Sequence, residues 1–308
     1  MVCIIALIVF SILGIFSATH RALAKEALDC VLRRITLRPC NTGFNEKIKA
    51  RLVGKLLNRS VLAARLFNKH FELISWLFII LSITSAFYVV KGGYNYYLYG
   101  SCNGLNQSGF CVFDPVGENN KISSLENSSC SLEEPSENKL NLSNLDLGQF
   151  PQKSFGVENQ LVFIGCYNCD YSRKAYPLIV KLANEAKANL IFIHIPVKAE
   201  TDYISSYAYC AYQENKEKFW DFNGQLFNSE KGDIADQQYV KTLAEKNGFD
   251  GAKLQNCVAD NKTKEIIKRQ FEQVQLTGVY GTPTIFINGK ALVGPKPYRV
   301  YKGMINKP

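Results

Sequence analysis

Histidine, methionine and tryptophan are scarce in this chain of 308 residues, at three, two and two. The histidines, His20, His70 and His194, are widely separated, and only one Cys-x-x-Cys occurs. A zinc site draws on two such pairs, or on one pair plus spaced histidines, so neither supply is present and no metal is expected. There is no internal repeat, and glycine and proline are unremarkable. Charge is absent from two stretches, Val2–Ala18 and Leu73–Val90, and acidic residues are nearly absent between them.

The two uncharged stretches have the length and composition of membrane spans. The first also fits a signal-peptide core. No basic residue precedes it, which argues against cleavage. The second begins near Trp76 and ends among Tyr88, Tyr94, Tyr96, Tyr97 and Tyr99, as an interfacial aromatic belt would. Between them, Thr19–His70 holds 12 Lys or Arg against 3 Asp or Glu, which equals the net charge of +9 for the whole chain. Such a loop belongs in the cytoplasm by the positive-inside rule, with contact to anionic lipid rather than nucleic acid. The expectation is a two-span anchor over 1–100, with spans at about 2–18 and 73–90 and a basic cytoplasmic loop at 19–70. Both termini and everything after residue 100 then lie outside the cell membrane. Cys30 and Cys40 fall in the cytoplasmic loop, where disulfides do not persist.

Residues 101–154 are rich in Ser, Asn and Glu and read as a linker, disordered around 118–144. Cys102 and Cys111 lie nine residues apart in a Gly/Asn/Ser-rich loop, a natural small disulfide in an oxidising compartment. Cys130 stands alone in this segment, and Cys3 lies at the start of the chain; neither has an assigned role.

The chemistry is concentrated at Gly165-Cys166-Tyr167-Asn168-Cys169. Leu161–Ile164 reads as a buried strand. Asp170–Lys187 reads as a helix, with Tyr171, Leu178, Ile179, Leu182 and Ala186 on one face. Cys166 therefore sits where a strand feeds a helix, whose N-terminus carries unpaired N–H groups and partial positive charge. A thiolate is stabilised there, which moves a thiol from about 8.5 into the range ~3.5–7.5. Cys169 follows one helical turn on, within reach of a mixed disulfide. Half of a zinc site and a purely structural bridge remain the alternatives. Further on, Thr284–Ile287 and Ala291–Val293 flank Asn288-Gly289, the strongest short hairpin signal.

Three motifs in order give the chain its resemblance to a known family. Cys166–Cys169 followed by Gly281-Thr282-Pro283-Thr284 resembles the thioredoxin superfamily. Ile191–Pro196, then Ala208–Gln213 and Lys218–Phe227, resemble the strand and helical insertion of DsbA-type thiol oxidoreductases. The resemblance covers about residues 156–305. It implies an α/β thioredoxin-like domain at 155–308, with a helical insertion at about 202–275 made of some four helices.

The resemblance further implies a cis bond at Thr282–Pro283 beside the cysteines, and a structural disulfide between Cys210 and Cys257; two buried thiols are the competing reading of that last pair. The function expected is a membrane-anchored thiol:disulfide oxidoreductase that forms disulfides in extracytoplasmic proteins. Cys166 would be the exposed nucleophile and Cys169 the resolving thiol. Tyr167 and Asn168 would tune the thiolate. Thr282 would offer main-chain hydrogen bonds to a client strand. Pro283 would keep an N–H away from the pair. No cofactor is needed beyond the redox-active Cys166–Cys169 disulfide. The partners are client proteins with thiols or disulfides, a membrane redox partner that recycles the pair, and the lipid bilayer. Two departures from the family pattern bear on direction. Tyr-Asn, without a cation, separates the cysteines, and the position often acidic six residues earlier is Gln160. A reductase or isomerase on the same face, or a non-catalytic peptide-binding adaptor, therefore stays open.

Overall fold

The structure is a computed structural model. It describes Leu7, Ser11, Ile15 and residues 17–36, 43–58, 60–107, 109–124, 140–196 and 202–306. Most of the first predicted span, together with Cys3, Cys40 and Cys130, lies outside the described residues. The chain forms two compact units, Met1–Val90 and Lys91–Pro308.

The first unit holds α1 (Ala18–Ile35), α2 (Phe44–Leu57), α3 (Val61–Lys69) and most of α4 (Phe71–Tyr99). Ser60 caps α3, its hydroxyl accepting the Ala63 N–H at 3.4 Å. α4 is apolar all round and leaves Trp76, Leu77, Ile80, Leu81, Ile83 and Phe87 exposed. A helix of that kind belongs in a core or in lipid, and among the described residues no core covers it. It is also the one described helix long and apolar enough to cross a membrane, over the 24 residues Trp76–Tyr99. The apolar run at Leu73–Val90 thus continues as helix through the tyrosines to Tyr99. Cys30, on α1, is disulfide-bonded, which overturns the expectation of a reduced thiol in this segment.

The second unit is built on a five-stranded sheet. Its strands are β2 (Gln152–Lys153), β3 (Gln160–Gly165), β4 (Asn189–His194), β6 (Thr284–Ile287) and β7 (Lys290–Val293), in the order β2-β4-β3-β6-β7. β3 and β4 are parallel, and the other pairings are antiparallel. A separate two-stranded ladder joins β1 (Ser123–Ser124) to β5 (Gly281–Thr282). The helices are α5 (Asp170–Ala186), α6 (Asp202–Glu214), α7 (Lys216–Asn228), α8 (Gln237–Lys246), α9 (Gly251–Ala259), α10 (Asn261–Gln275) and α11 (Tyr298–Ile305). The insertion therefore contains five α-helices rather than four. Asp236, Asp250 and Asp260 each accept N–H groups at helix N-termini, and these caps divide what reads as continuous helical periodicity.

Period-two alternation explains the continuous apolar run of β3. Leu161 and Phe163 point into one core with Phe192, Ile285 and the helices α5, α7 and α11. Val162 and Ile164 point into a second core with Ile191, Ile193, Phe286 and Val274. A central strand covered on both faces has no polar side. Asn288 and Gly289, at φ 48° and 80°, make the predicted turn between β6 and β7. The Cys210–Cys257 disulfide joins α6 to α9.

The segment read as a linker packs on this domain at several described points, while Phe110, Val112 and Val116 stay exposed. Leu145 and Phe150 enter the second core, and β2 extends the sheet beyond β4. The Cys102–Cys111 disulfide forms. Asn106 donates to the Ala291 carbonyl at 2.9 Å and accepts the Val293 N–H at 2.8 Å, pairing with β7 as a strand would. The guanidinium of Arg299 lies 5.1 Å from the centre of the Tyr96 ring at the end of α4. Composition suggested a solvated tether, but these polar residues spend their hydrogen bonds on the domain.

Candidate active site

β3 ends at Gly165, where a Cβ would collide with the Phe163 ring, so only glycine fits. The chain then turns, and the Cys169 N–H donates to the Cys166 carbonyl at 3.1 Å. Cys169 is the N-cap of α5, not a residue one turn inside the helix. Its sulfur accepts the Ser172 N–H at 3.4 Å. The Ser172 hydroxyl in turn accepts the Cys166 N–H at 3.2 Å. The unpaired N–H groups of the helix start are thus directed first at Cys169.

The cis-peptide loop meets this sulfur. Thr282–Pro283 is cis, and the Cys169 thiol donates to the Thr282 carbonyl at 3.3 Å. The Thr284 hydroxyl donates to the Gly281 carbonyl at 2.8 Å, fixing the loop. Both Cys166 and Cys169 are thiols. Cys166 is 0% exposed and Cys169 2%. The expectation of an exposed Cys166 is therefore corrected: the strand end and loop that present it also enclose it.

Tyr167 is turned inward rather than toward the sulfurs. Its hydroxyl donates to Asn223 Oδ1 at 2.5 Å, and Asn223 donates to the Tyr176 hydroxyl at 2.8 Å. Burial holds the Tyr167 phenol well above its ordinary range, so it keeps its proton at neutral pH. The backbone of Tyr167 is what reaches the pair's surroundings. Its carbonyl accepts from Arg173 Nε at 2.6 Å, and Arg173 Nη1 donates to the Ser229 carbonyl at 2.5 Å. Burial lowers the Arg173 pKa, while Asp170 and Cys166 act on it in the opposite sense. A cation is therefore in electrostatic reach of Cys166 although none lies between the cysteines. Asn168 is half-buried.

His194, at the end of β4, stacks on the Tyr167 ring at 4.4 Å between centroids. Its Nδ1 lies 2.8 Å from the Ser205 hydroxyl, and its Nε2 is buried without a hydrogen-bond partner among the described residues. Burial pushes its pKa down to about 3. This imidazole is neutral and works as packing for the active-site turn. It also lines a cavity of about 470 Å³ with Phe150, Pro196, Tyr203 and Phe271.

Residues 153–306 match the family model described as a DSBA-like thioredoxin domain, half of the chain. The chain belongs to this family. Similar solved structures include a periplasmic thioredoxin-like protein from Salmonella enterica serovar Typhimurium. That likeness has 20% identity and a TM-score of 0.46, and covers 56% of this chain and 97% of that one. The thiol-disulfide exchange protein α-DsbA2 from Wolbachia pipientis is similar at 21% identity and a TM-score of 0.46, over 51% of this chain and 86% of that one. Oxidised BdbD from Bacillus subtilis is similar at 15% identity and a TM-score of 0.45, over 51% and 90%. No curated protein matches the chain.

DsbA-like domains are thiol–disulfide oxidoreductases that act on proteins and are recycled by redox partners. In this DsbA-like domain the structure brings Cys166, Cys169, Thr282 and Pro283 together as the sequence predicts. It turns the Tyr167 hydroxyl to Asn223, with the buried phenol still in electrostatic contact with Cys166. It adds Ser172, Arg173 and His194, and also Ser123, whose hydroxyl donates to Cys169 Sγ at 3.1 Å. Ser172 and Arg173 were findable in principle, lying three and four residues after Cys169, on the facing side of the first helical turn. His194 and Ser123 carry no local signal, because only the fold brings them to the pair.

Proposed function

We propose that the DsbA-like domain oxidises thiols of extracytoplasmic client proteins through Cys166 and Cys169. A client thiolate attacks Cys166 of the oxidised pair. The Cys166–Cys169 bond breaks, a client–Cys166 disulfide forms, and Cys169 leaves as a thiolate that takes up a proton. A second client thiolate then attacks the client sulfur of the mixed disulfide, forming the client's disulfide and releasing Cys166. Two electrons pass from client to pair, and a membrane redox partner must remove them. Pro283 has no N–H to offer the sulfurs, and the main chain at Gly281–Thr282 is the edge to which a client strand adds. The observation that carries this reading is the contact of Cys169 with the Thr282 carbonyl at 3.3 Å, next to Pro283.

Roles can be separated by trapping. Cys169→Ser should accumulate client mixed disulfides on Cys166, because the resolving sulfur is gone, while Cys166→Ser should accumulate none. Accumulation on Cys169 instead would reverse the assignment, and inert chains in both cases would leave the adaptor reading. The direction follows from a redox titration. A potential near ~−270 mV would mark a reductase rather than a donor of disulfides. The absence of a cation between the cysteines favours that reductase reading, and the electrostatic interaction of Arg173 with Cys166 favours the oxidase.

The domain is proposed to work on the outer face of the cell membrane, held there by α4. The basic excess over 19–70 argues that this segment is cytoplasmic. The Cys30 disulfide argues for an oxidising compartment. Membrane-impermeant labelling of lysines in 19–70 on intact cells tests this: protection supports the two-span arrangement, and labelling, with α4 crossing once, would put the DsbA-like domain on the cytoplasmic face and overturn the proposed location.

A further inference from the structure

A client strand can add to the sheet edge only where main-chain groups are open, and beside the redox pair that edge is already taken. Ser123 pairs with Thr282 and Ser124 with Gly281, antiparallel, immediately before the cis proline. The Ser123 hydroxyl donates to Cys169 Sγ at 3.1 Å. The approach is close enough to need a glycine. A Cβ on Gly281 would stand 2.9 Å from the Ser123 carbonyl oxygen and 2.6 Å from Ile122 Cδ1. Ser123 and Ser124 belong to the segment before residue 153, outside the region that matches the family.

The segment is also anchored away from the sulfur. At its upstream end Lys296, only 2% exposed, donates from Nζ to the Asn119 carbonyl at 2.8 Å and also to Asn120 Oδ1. Gly294, at φ +79°, packs against the Asn120 backbone so closely that a Cβ would lie 2.9 Å from its carbonyl carbon. Glu118 pairs with Lys174 of α5 at 2.8 Å, but both side chains are exposed, and such pairs add little. At the sulfur end, among the described residues, a two-residue ladder and the Ser123 hydroxyl hold it. The root ties the strap to the domain independently of the ladder beside the sulfur. A serine cannot exchange disulfides, so its hydroxyl occupies the place beside the pair without reacting.

We propose that residues 118–124 are an internal strap over the client-binding edge, and that an extended client segment bearing a cysteine gains access by displacing Ser123–Ser124 from Gly281–Thr282. This deepens the oxidoreductase reading and rests on it. It also places a covering hydroxyl on Cys169, one sulfur of a pair that must meet large substrates.

The test uses the full chain in detergent, with the pair reduced. The probe is a short extended peptide whose single cysteine is a mixed disulfide with glutathione; oxidised glutathione is the small control. Ser123→Pro removes the hydroxyl and a ladder N–H. Lys296→Met removes the root. Exchange with the peptide should rise about tenfold or more in Ser123→Pro, equivalent to about 1.4 kcal/mol, and should also rise in Lys296→Met. In the unaltered chain, adding the peptide should strip hydrogen-exchange protection from the Ser123 amide, which pairs with Thr282. If Ser123→Pro does not fold, the Lys296→Met rate and the Ser123 amide of the unaltered chain decide. Equal peptide rates in all reactive forms, with Ser123 protection unchanged in the unaltered chain, would overturn the strap and leave the oxidoreductase standing. No exchange with either disulfide in any form would overturn the oxidoreductase reading and the strap with it.

Discussion

Replacing Arg173 with methionine should make the redox pair a weaker oxidant. The guanidinium holds the active-site turn through Tyr167 O and Ser229 O at 2.6 and 2.5 Å, and it interacts electrostatically with Cys166. A cation there favours thiolate, which stabilises the reduced form and raises the reduction potential. Two unit charges roughly 4 Å apart at an effective dielectric of about 20 interact by about 4 kcal/mol, and the partly exposed guanidinium of Arg173 retains about a third to two-thirds of that after solvent screening. For this two-electron couple 1.4 kcal/mol is about 30 mV, so the potential should fall by ~30–60 mV. The assay is equilibration against glutathione buffers, with acid quenching, alkylation and mass measurement of the thiol and disulfide forms. Arg173→Lys keeps the charge but not the two-carbonyl fork, and should retain most of the potential. A potential unchanged in Arg173→Met, with the chain folded, would refute the electrostatic role and leave Arg173 as a brace for the turn.

The other predictions concern stability. His194 has a folded pKa of about 3 against an ordinary value of about 6.5. Between these values the unfolded chain takes up a proton that the folded ring refuses. Stability is therefore complete above about pH 6.5 and is lost toward pH 3, at up to ~1.4 kcal/mol per unit. Urea midpoints at falling pH should show this slope, and His194→Phe should flatten it; an undiminished slope would assign the acid sensitivity elsewhere. Separating Cys210 from Cys257 by serine substitution opens a closure of 47 residues. The chain-entropy relation gives a loss of about 4 kcal/mol, read as a fall in the unfolding midpoint. Tyr167→Phe leaves Asn223 Oδ1 buried without its donor and should cost ~1–3 kcal/mol, with little change in potential, because the phenol is held neutral by burial and its hydrogen bond goes to Asn223.

Local chemistry made several elements readable in the sequence. β3 is legible because a strand buried on both faces must be a run such as Leu161–Ile164. The β6–β7 turn is legible because Asn288-Gly289 accepts positive φ at low cost. α5 is legible from its apolar spacing, though its first residue is not: Cys169 gives its sulfur to the Ser172 N–H and so ends outside the helix as a cap. The error over residues 101–154 has a different cause. Ser, Asn and Glu read as solvated tether because composition reports affinity for water. It does not report whether Asn106 or Asn119 finds a carbonyl on the domain instead. The insertion's helix count failed for a related reason, since caps at Asp236, Asp250 and Asp260 outweigh continuous apolar periodicity.

By itself the sequence determined the dithiol, the proline loop, the helical insertion and the long apolar helix, because each is written in residues near one another in the chain. The tertiary structure alone decided that Arg173 joins the Tyr167 and Ser229 carbonyls, that His194 backs Tyr167, and that Ser123 lies on Cys169 across 46 positions of chain. Such contacts depend on where the sheet and its helices bring distant segments. Hydrogen bonds and charges act over a few ångströms of space, whatever the separation in sequence.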